Sequence, residues 1–392
     1  MVFLHLADLH IGKSVNEFDM TADQRAVLQQ IIGIAENRRA DAVLISGDIY
    51  DRAVPSEEAV RLFDWFLREL AARRIAVFAI TGNHDSDERL NFGTSFFTDS
   101  GIYLTARYDG TMSPVTLQDA DGPVHFWMLP FVRRYTVAQY HPDAQIRSYD
   151  EAVRCALADA RLNPAERNVI LSHQFVTAGG ADPSLSGSEN DPPESVGAVE
   201  KVDVSAYSSY DYAALGHIHR PQRVGRETVR YSGSPLKYSL SEIDQDKSVP
   251  VVTLGPKQSG DAAGTCVTVE KVPLVPPHEM RRLKGKIADL LDPRNVTDPE
   301  DYLQVILTDE EPLSGAMARI QAVYPNTMEL QFAGSRTRST AQAESGASVR
   351  ERTPEEILKD FYHIYSGGPI SSAEWKILRC AAVKAGVLHE AD

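Results

Sequence analysis

Five of the chain's eleven histidines fall in short polar turns that follow apolar runs, and carboxylate or amide residues accompany them. Asp8-Leu9-His10 follows Val2-Phe3-Leu4, and Gly47-Asp48 follows Ala42-Val43-Leu44-Ile45. Thr81-Gly82-Asn83-His84-Asp85 follows Val77-Phe78-Ala79-Ile80, Ser172-His173 follows Val169-Ile170-Leu171, and Gly216-His217-Ile218-His219 follows Ala213-Ala214-Leu215. Imidazole, carboxylate and amide donors without sulfur suit a divalent transition metal such as Mn²⁺, Fe²⁺ or Zn²⁺ better than Ca²⁺ or a thiolate zinc site. Asp8, His10, Asp48, Asn83, His173, His217 and His219 are too many ligands for one ion. Two ions sharing a bridging carboxylate, ~3.5–4 Å apart as in two-metal hydrolases, would use them economically. The Asp8-X-His10 and His217-X-His219 pairs have the i, i+2 spacing that points two side chains of an extended segment the same way.

Taken singly, Asp, Asn and Gly after a strand are ordinary turn residues. Their concurrence at five successive strand ends is what indicates a site, because open α/β sheets bind ligands at the carboxyl ends of their strands. The intervening stretches supply the helices. Thr21-Ala22-Asp23-Gln24 reads as a capping box ahead of Val27, Leu28, Ile31, Ile32 and Ala35 at helical spacing. Ser56 reads as the N-cap of a second helix with Ala59, Val60, Phe63, Phe66, Leu67 and Leu70 as its inner face, and Glu57 and Glu58 near the positive end of its dipole. A strand-helix-strand-helix-strand run of this kind predicts a layered sheet with helices on its faces. A strand at 125–129 and a helix near 150–160 follow. The stretch from Thr177 to Ser209, rich in Gly, Ser, Pro and acidic residues, is either a long surface loop near the site or partly disordered.

At 392 residues and 43% hydrophobic content the chain can bury a large core in two or three domains. Its net charge of −15 does not suit an unspecific polyanion binder, although metal ions and a local basic patch would add positive charge. Cys155, Cys266 and Cys380 are isolated, which argues against a disulfide framework or thiolate metal site and suits a reducing cytosol. Asp8 and His10 interrupt the region where a signal peptide would be apolar, and no apolar run approaches the ~20 residues that span a bilayer. A soluble cytoplasmic protein with no membrane association is expected.

The first domain is expected to close near residue 275, after Tyr231-Ser232-Gly233-Ser234-Pro235 and a strand at 249–254. Pro276-Pro277 opens a small α+β unit over 276–333, read as helix 280–291, strand 302–307, helix 313–323 and strand 328–332. Residues 334–353 read as a flexible linker carrying Arg336, Arg338, Arg350 and Arg352. Residues 354–392 read as a helical pair: a capping box at Thr353-Pro354-Glu355-Glu356 leads a face of Ile357, Leu358, Phe361, Ile364 and Tyr365, Gly367-Gly368 breaks it, and Ser371 to Glu374 caps a second helix with Trp375, Leu378 and Ala382.

In their order, Asp8-X-His10, Gly47-Asp48-X-X-Asp51, Gly82-Asn83-His84-Asp85, Ser172-His173 and Gly216-His217-X-His219 resemble the calcineurin-like metallophosphoesterases. His5-X-Ala7-Asp8-Leu9-His10-Ile11-Gly12, Gly47-Asp48-Ile49-Tyr50-Asp51-Arg52 and Tyr231-Ser232-Gly233-Ser234-Pro235 are similar to the bacterial branch of DNA nuclease subunits within them. The motif resemblance covers residues 1–255. It implies a four-layer sandwich of helices flanking two β-sheets, with a small capping domain and a C-terminal helical segment. It implies that Asp8, His10 and His219 hold one metal, that Asn83, His173 and His217 hold the other, and that Asp48 bridges, Mn²⁺ being the expected ion. His84 is then the proton donor to the departing sugar oxygen or a stabiliser of transition-state charge, and Asp85 either orients His84 or serves as a turn carboxylate. Archaeal and eukaryotic relatives carry a histidine shortly after Gly-Asp. This chain has Asp51-Arg52, in agreement with the bacterial branch.

The implied activity is ATP-dependent 3′-to-5′ exonuclease action on duplex DNA and endonuclease action on single strands or hairpins, in DNA repair, recombination and replication. The implied partners are DNA, a second copy of the chain, and an SMC-like ATPase that docks on residues 354–392 to give a heterotetramer. Arg52, Arg89 and Lys237 flank the motifs as candidate phosphate contacts. Two alternatives compete: a phosphodiesterase or phosphatase for a non-DNA substrate, which would end near residue 255, and a scaffold with a decayed site, which the intact ligand set disfavours.

Overall fold

A computed structural model describes residues 1–92, 97–189, 201–309, 313–333, 358–359, 362 and 370–384. Its centre is a pair of six-stranded sheets. The first contains β1 (Val2–Leu6), β2 (Ala42–Ser46), β3 (Ala76–Ile80) and β4 (Ile102–Thr105), successive parallel neighbours. The second is built from β5 (Val115–Asp119), β6 (Gly122–Leu129), β7 (Arg167–His173), β8 (Tyr212–Gly216), β9 (Gln222–Val224) and β10 (Arg226–Tyr231), in the order 9-10-8-7-6-5. β6, β7, β8 and β10 are parallel, with antiparallel strands at both edges. The first sheet is completed on its β1 edge by antiparallel β11 (Ser248–Leu254) and β12 (Val267–Pro273).

Strands covered on both faces are apolar along their middle, as Ala42–Ile45 of β2 and Val169–Leu171 of β7 are, and both strands are buried throughout. Alternation then sorts the side chains into layers. Phe3, Leu44, Phe78, Phe126, Leu171 and Tyr212 fill the space between the sheets. Leu4, Val43 and Val77 point the other way, against α1 (Thr21–Asn37) and α2 (Glu57–Ala72). Trp127, Ile170 and Leu215 meet the helix Tyr149–Ala158 on the far face. The result is the expected helix-sheet-sheet-helix sandwich.

Two helix starts differ in how they are capped. Ser56 caps α2 as read, its hydroxyl accepting from Ala59 N at 3.1 Å. The inner face is corrected at one position: Leu62 is buried and Val60 is 45% exposed, because the stripe follows 59, 62, 63, 66, 67 and 70. At α1 the capping box is replaced. Asp19 accepts from both the backbone and hydroxyl of Thr21, at 2.8 and 2.6 Å, and Gln24 turns inward.

Beyond the sandwich, β13 (Met280–Gly285), β14 (Tyr302–Leu307) and β15 (Thr327–Phe332) form a three-stranded sheet, with a short helix at Ala316–Gln321. The helix expected over 280–291 is corrected: its first half is β13, and Ile287–Leu290 alone is helical. Met280, Leu283 and Ile287 have helical spacing, but pairing beside β14 decides the outcome, through Tyr302 N to Glu279 O at 2.9 Å and Arg282 Nε to Gln304 Oε1 at 2.6 Å. The chain forms two compact units, one of residues 1–283, 288–305 and 315–330, the other of 284–287, 306–314 and 331–392. Within the second, Ser371 and Glu374 cap each other's backbone at the start of the helix Ser372–Lys384. Lys359 Nζ lies 4.4 Å from the Trp375 ring centre. The expected linker and most of the first helix of the C-terminal pair lie outside the described residues. Among the described residues no helix is long and apolar enough to cross a membrane.

Candidate active site

The ends of β1, β2, β3, β7 and β8 face one another across the gap between the sheets, and each delivers its predicted side chains there. Asp48 Oδ2 lies between the halves of the set, 3.6 Å from His10 Nε2 and 3.4 Å from His173 Nε2. On one side Asp8, His10 and His219 converge, with His10 Nε2 and His219 Nε2 3.1 Å apart. On the other, Asn83 Oδ1 stands 3.0 Å from His173 Nε2 and 3.1 Å from His217 Nδ1. The backbone is bent to achieve this. Asp8, His10, Asp48 and His217 have φ of 53°, 42°, 49° and 102°, a region that non-glycine residues uncommonly enter. Asp8 and His10 therefore converge through left-handed turns and not through extended backbone, while His217 and His219 divide between the two halves of the set. Glycines permit the close approach: a Cβ would lie 2.1 Å from Asp48 Oδ1 at Gly82 and 1.9 Å from Ser46 O at Gly216.

Hydrogen bonding tests whether these residues fit a cation. His173 Nδ1 must donate to the Ser46 carbonyl at 2.8 Å, which leaves Nε2, facing Asn83 Oδ1 and Asp48, as the position that takes a proton or a cation. Asp8 Oδ2 is buried without a hydrogen-bond partner. A carboxylate oxygen left over in a buried space beside Asp48 and His173 calls for positive charge. Burial pushes the Asp8 carboxyl up to about 6 and drives His217 down to about 3. Burial also opposes a charged His173, yet the neighbouring Asp48 lifts it to about 9, a proton standing where a cation is wanted. The donor set fits two oxygen- and nitrogen-liganded divalent ions.

The remaining expected residues sort differently. His84 packs edge-on against His10 with ring centres 4.9 Å apart, and its Nδ1 donates to the Asp51 carbonyl at 3.0 Å. Asp85 accepts from the backbone N–H of Gly82, Ile49 and Tyr50 at 2.9, 3.1 and 3.0 Å. It is a turn carboxylate that locks the β2 and β3 loops together, and Asp51 is what orients His84. Arg52 is exposed beside Asp51, and Arg89 is exposed on the short helix Asp87–Asn91. Lys237 is corrected: its ammonium donates to Glu279 Oε1 at 2.7 Å and to the carbonyls of Ile243 and Met280 at 2.8 and 3.4 Å, which uses it within the fold.

Sequence reasoning missed the supports. Gln24 accepts from Gly12 N at 3.0 Å and donates to His10 O at 2.8 Å and to the Tyr238 hydroxyl at 3.0 Å. Tyr238 in turn donates to Leu9 O at 2.5 Å. The available signal was a polar residue on the inner stripe of α1, next to Val27 and Leu28.

A calcineurin-like phosphoesterase family model matches residues 1–221, more than half of the chain. The chain belongs to that family. As a calcineurin-like phosphoesterase it is a metal-dependent hydrolase of phosphoesters. A second family model, described as the type 5 capsule protein repressor C-terminal domain, matches residues 276–364. Along its length the chain is similar to the SbcD component of the nuclease SbcCD of Staphylococcus epidermidis, 28% identical over 366 residues that make up 92% of each chain. Among solved structures it is loosely similar to an archaeal phosphodiesterase (10% identity, 70% of this chain and 100% of that one, TM-score 0.29). A dimetal phosphatase from Danio rerio overlaps to a comparable degree (14% identity, 69% of this chain and 99% of that one, TM-score 0.34).

Proposed function

We propose that this phosphoesterase is an SbcD-type DNA nuclease, cutting phosphodiester bonds with two divalent ions, most suitably Mn²⁺. The observation that carries the chemistry is the convergence of buried acceptors around Asp48 Oδ2. The choice of DNA is supported by similarity to a nuclease component over nearly the whole length of both chains. Asp8, His10 and His219 would hold one ion and Asn83, His173 and His217 the other, with Asp48 within reach of both sets. Such ions would supply Lewis acidity and charge neutralisation at the phosphoryl group. His84, steered by the Asp51 carbonyl through Nδ1–H, is placed to deliver a proton from Nε2 to the departing sugar oxygen when the ring is doubly protonated, and returns to the neutral Nδ1–H form. Asp85 keeps the two loops that carry Asp48 and His84 in one register. Arg52 and Arg89 meet substrate phosphates from the rim.

The protein works in the cytoplasm as a homodimer with an SbcC-type SMC-like ATPase. Residues 276–333 cap the nuclease domain, 334–353 act as a tether, and 354–392 dock on the partner's coiled-coil base. In that assembly it acts in DNA repair, recombination and replication as an ATP-dependent 3′-to-5′ exonuclease on duplex ends and an endonuclease on single strands and hairpins.

The test is cleavage of labelled single-stranded and hairpin DNA by the purified chain with Mn²⁺, beside Asp48→Ala, His84→Gln and a chromogenic phosphodiester. DNA cutting that Asp48→Ala abolishes supports the reading. Hydrolysis of the small ester alone would assign another substrate and remove the ground for the ATPase partner.

A further inference from the structure

Behind His219 meet two stretches of chain that no catalytic role accounts for, the segment Ser186-Gly187-Ser188-Glu189 and the Tyr231-Ser232-Gly233-Ser234-Pro235 motif with the turn that follows it. Ser188 Oγ lies 2.7 Å from His219 Nδ1 and also hydrogen-bonds the Glu242 carboxylate. Glu242 is wholly buried, and its other oxygen pairs with the buried Lys247 ammonium at 2.5 Å. Lys247 reaches on to His219 O at 2.9 Å and Ser234 Oγ at 3.0 Å. The His219 backbone is gripped as well: its N–H donates to Glu189 Oε1 at 3.0 Å and its carbonyl accepts from Ser234 N at 3.1 Å. At Gly233, with φ of +75°, a Cβ would sit 2.7 Å from that carbonyl, so the motif needs glycine to close on His219.

The direction of each bond follows from what each group can do. A carboxylate paired with an ammonium only accepts, so the Ser188 hydroxyl donates to Glu242. Its lone pair then accepts from His219 Nδ1–H. The ring is thereby held as the Nδ1–H tautomer with its Nε2 lone pair toward His10. His173 has its tautomer set by a backbone carbonyl inside the sandwich. His219 depends instead on a hydroxyl from a separate segment, which Ser241 Oγ pins through Ser186 O at 2.5 Å.

We propose that Ser188 and Glu242 are positioning residues for the metal centre: Glu242, held by Lys247, orients the Ser188 hydroxyl, and that hydroxyl presents His219 Nε2 to its ion. This rests on the assignment of His219 as a ligand. Partners of this kind, on the nitrogen opposite the metal, are worth about 10- to 100-fold in affinity.

The test uses the full chain, Mn²⁺ titration calorimetry and histidine ¹⁵N spectra of the metal-free protein. Ser188→Ala is expected to weaken one of two Mn²⁺ equivalents about 10- to 100-fold and leave the other unchanged. It should also turn His219 from the Nδ1–H form into a tautomer mixture, and Ser188→Thr should restore both readouts. Glu242→Gln should follow Ser188→Ala; because it strips Lys247 of its counter-charge and can compromise folding, Ser188→Ala carries the decision. Wild-type affinity at both equivalents in Ser188→Ala, or an Nε2–H His219 in the parent protein, would overturn the proposal. His219→Ala separates the two levels: losing one equivalent while Ser188→Ala loses none sinks the relay alone, and keeping both sinks the ligand assignment beneath it.

Discussion

His84 and Asp85 are adjacent, yet the structure gives them different work. His84 faces the ligand cluster through a hydrogen bond to a backbone carbonyl, whereas Asp85 is buried with both oxygens on backbone N–H groups. His84→Gln is therefore expected to lower kcat about 10²- to 10⁴-fold, the usual contribution of a general acid, with metal stoichiometry intact by elemental analysis. Asp85→Ala should behave as a folding variant. Three buried N–H groups lose their acceptor at about 1–3 kcal/mol each before relaxation, so denaturant unfolding should show a loss of at least about 2 kcal/mol. A fully stable Asp85→Ala that fails only in catalysis would contradict this division.

The helices hold the strand ends in place by burying one stripe against the first sheet. On α2 that stripe includes the fully buried Phe66, while Val60 looks outward. Phe66→Ala is expected to cost about 3–5 kcal/mol and Ser56→Ala about 1 kcal/mol, while Val60→Ala stays within about 0.5 kcal/mol. Equilibrium denaturation of the three variants checks the order. A cost at Val60 as large as that at Phe66 would mean the helix is rotated from the described packing. On α1 the same stripe carries Gln24, so the helix grips the Asp8–Gly12 loop directly and its substitution should lower metal affinity more than a surface change would.

For the molecule as a whole, the second sheet is tied at its edge by Arg167, whose buried guanidinium donates to Asp119 at 2.9 and 2.5 Å. That guanidinium holds the Asp119 carboxyl well below the ordinary range. A carboxyl depressed in the folded state contributes stability that is present above its unfolded pKa of about 3.9 and is lost as pH falls toward the folded value. Wild type should thus exceed Asp119→Asn in unfolding free energy by a constant margin above about pH 5, and the margin should shrink below about pH 4. A margin independent of pH across that range would rule out the ion pair as its source. At the same scale, removing residues 354–392 should abolish co-purification with an SMC-like ATPase and leave hydrolysis of a small phosphodiester unchanged. Loss of that hydrolysis on truncation would argue that the segment serves the nuclease domain itself.

The sequence by itself determined which side chains gather at the strand ends and which strands carry them, because buried strands read as apolar runs and their polar ends stand out as punctuation. It also determined the layered α/β plan and the Ser56 helix start, both local in origin. Only the tertiary structure decided that Asp8 and His10 converge through left-handed turns, since φ is not written in residue types other than glycine. It alone decided that Met280–Gly285 is a strand, because a partner strand more than a dozen residues away outweighed the helical spacing. Gln24 left a signal as a polar residue on the inner stripe of α1, but the hydrogen bonds of Ser188, Glu242 and Lys247 were invisible beforehand. Each acts through a hydrogen bond across long sequence separation or through a charge pair shut away from water, and neither leaves a mark in local pattern.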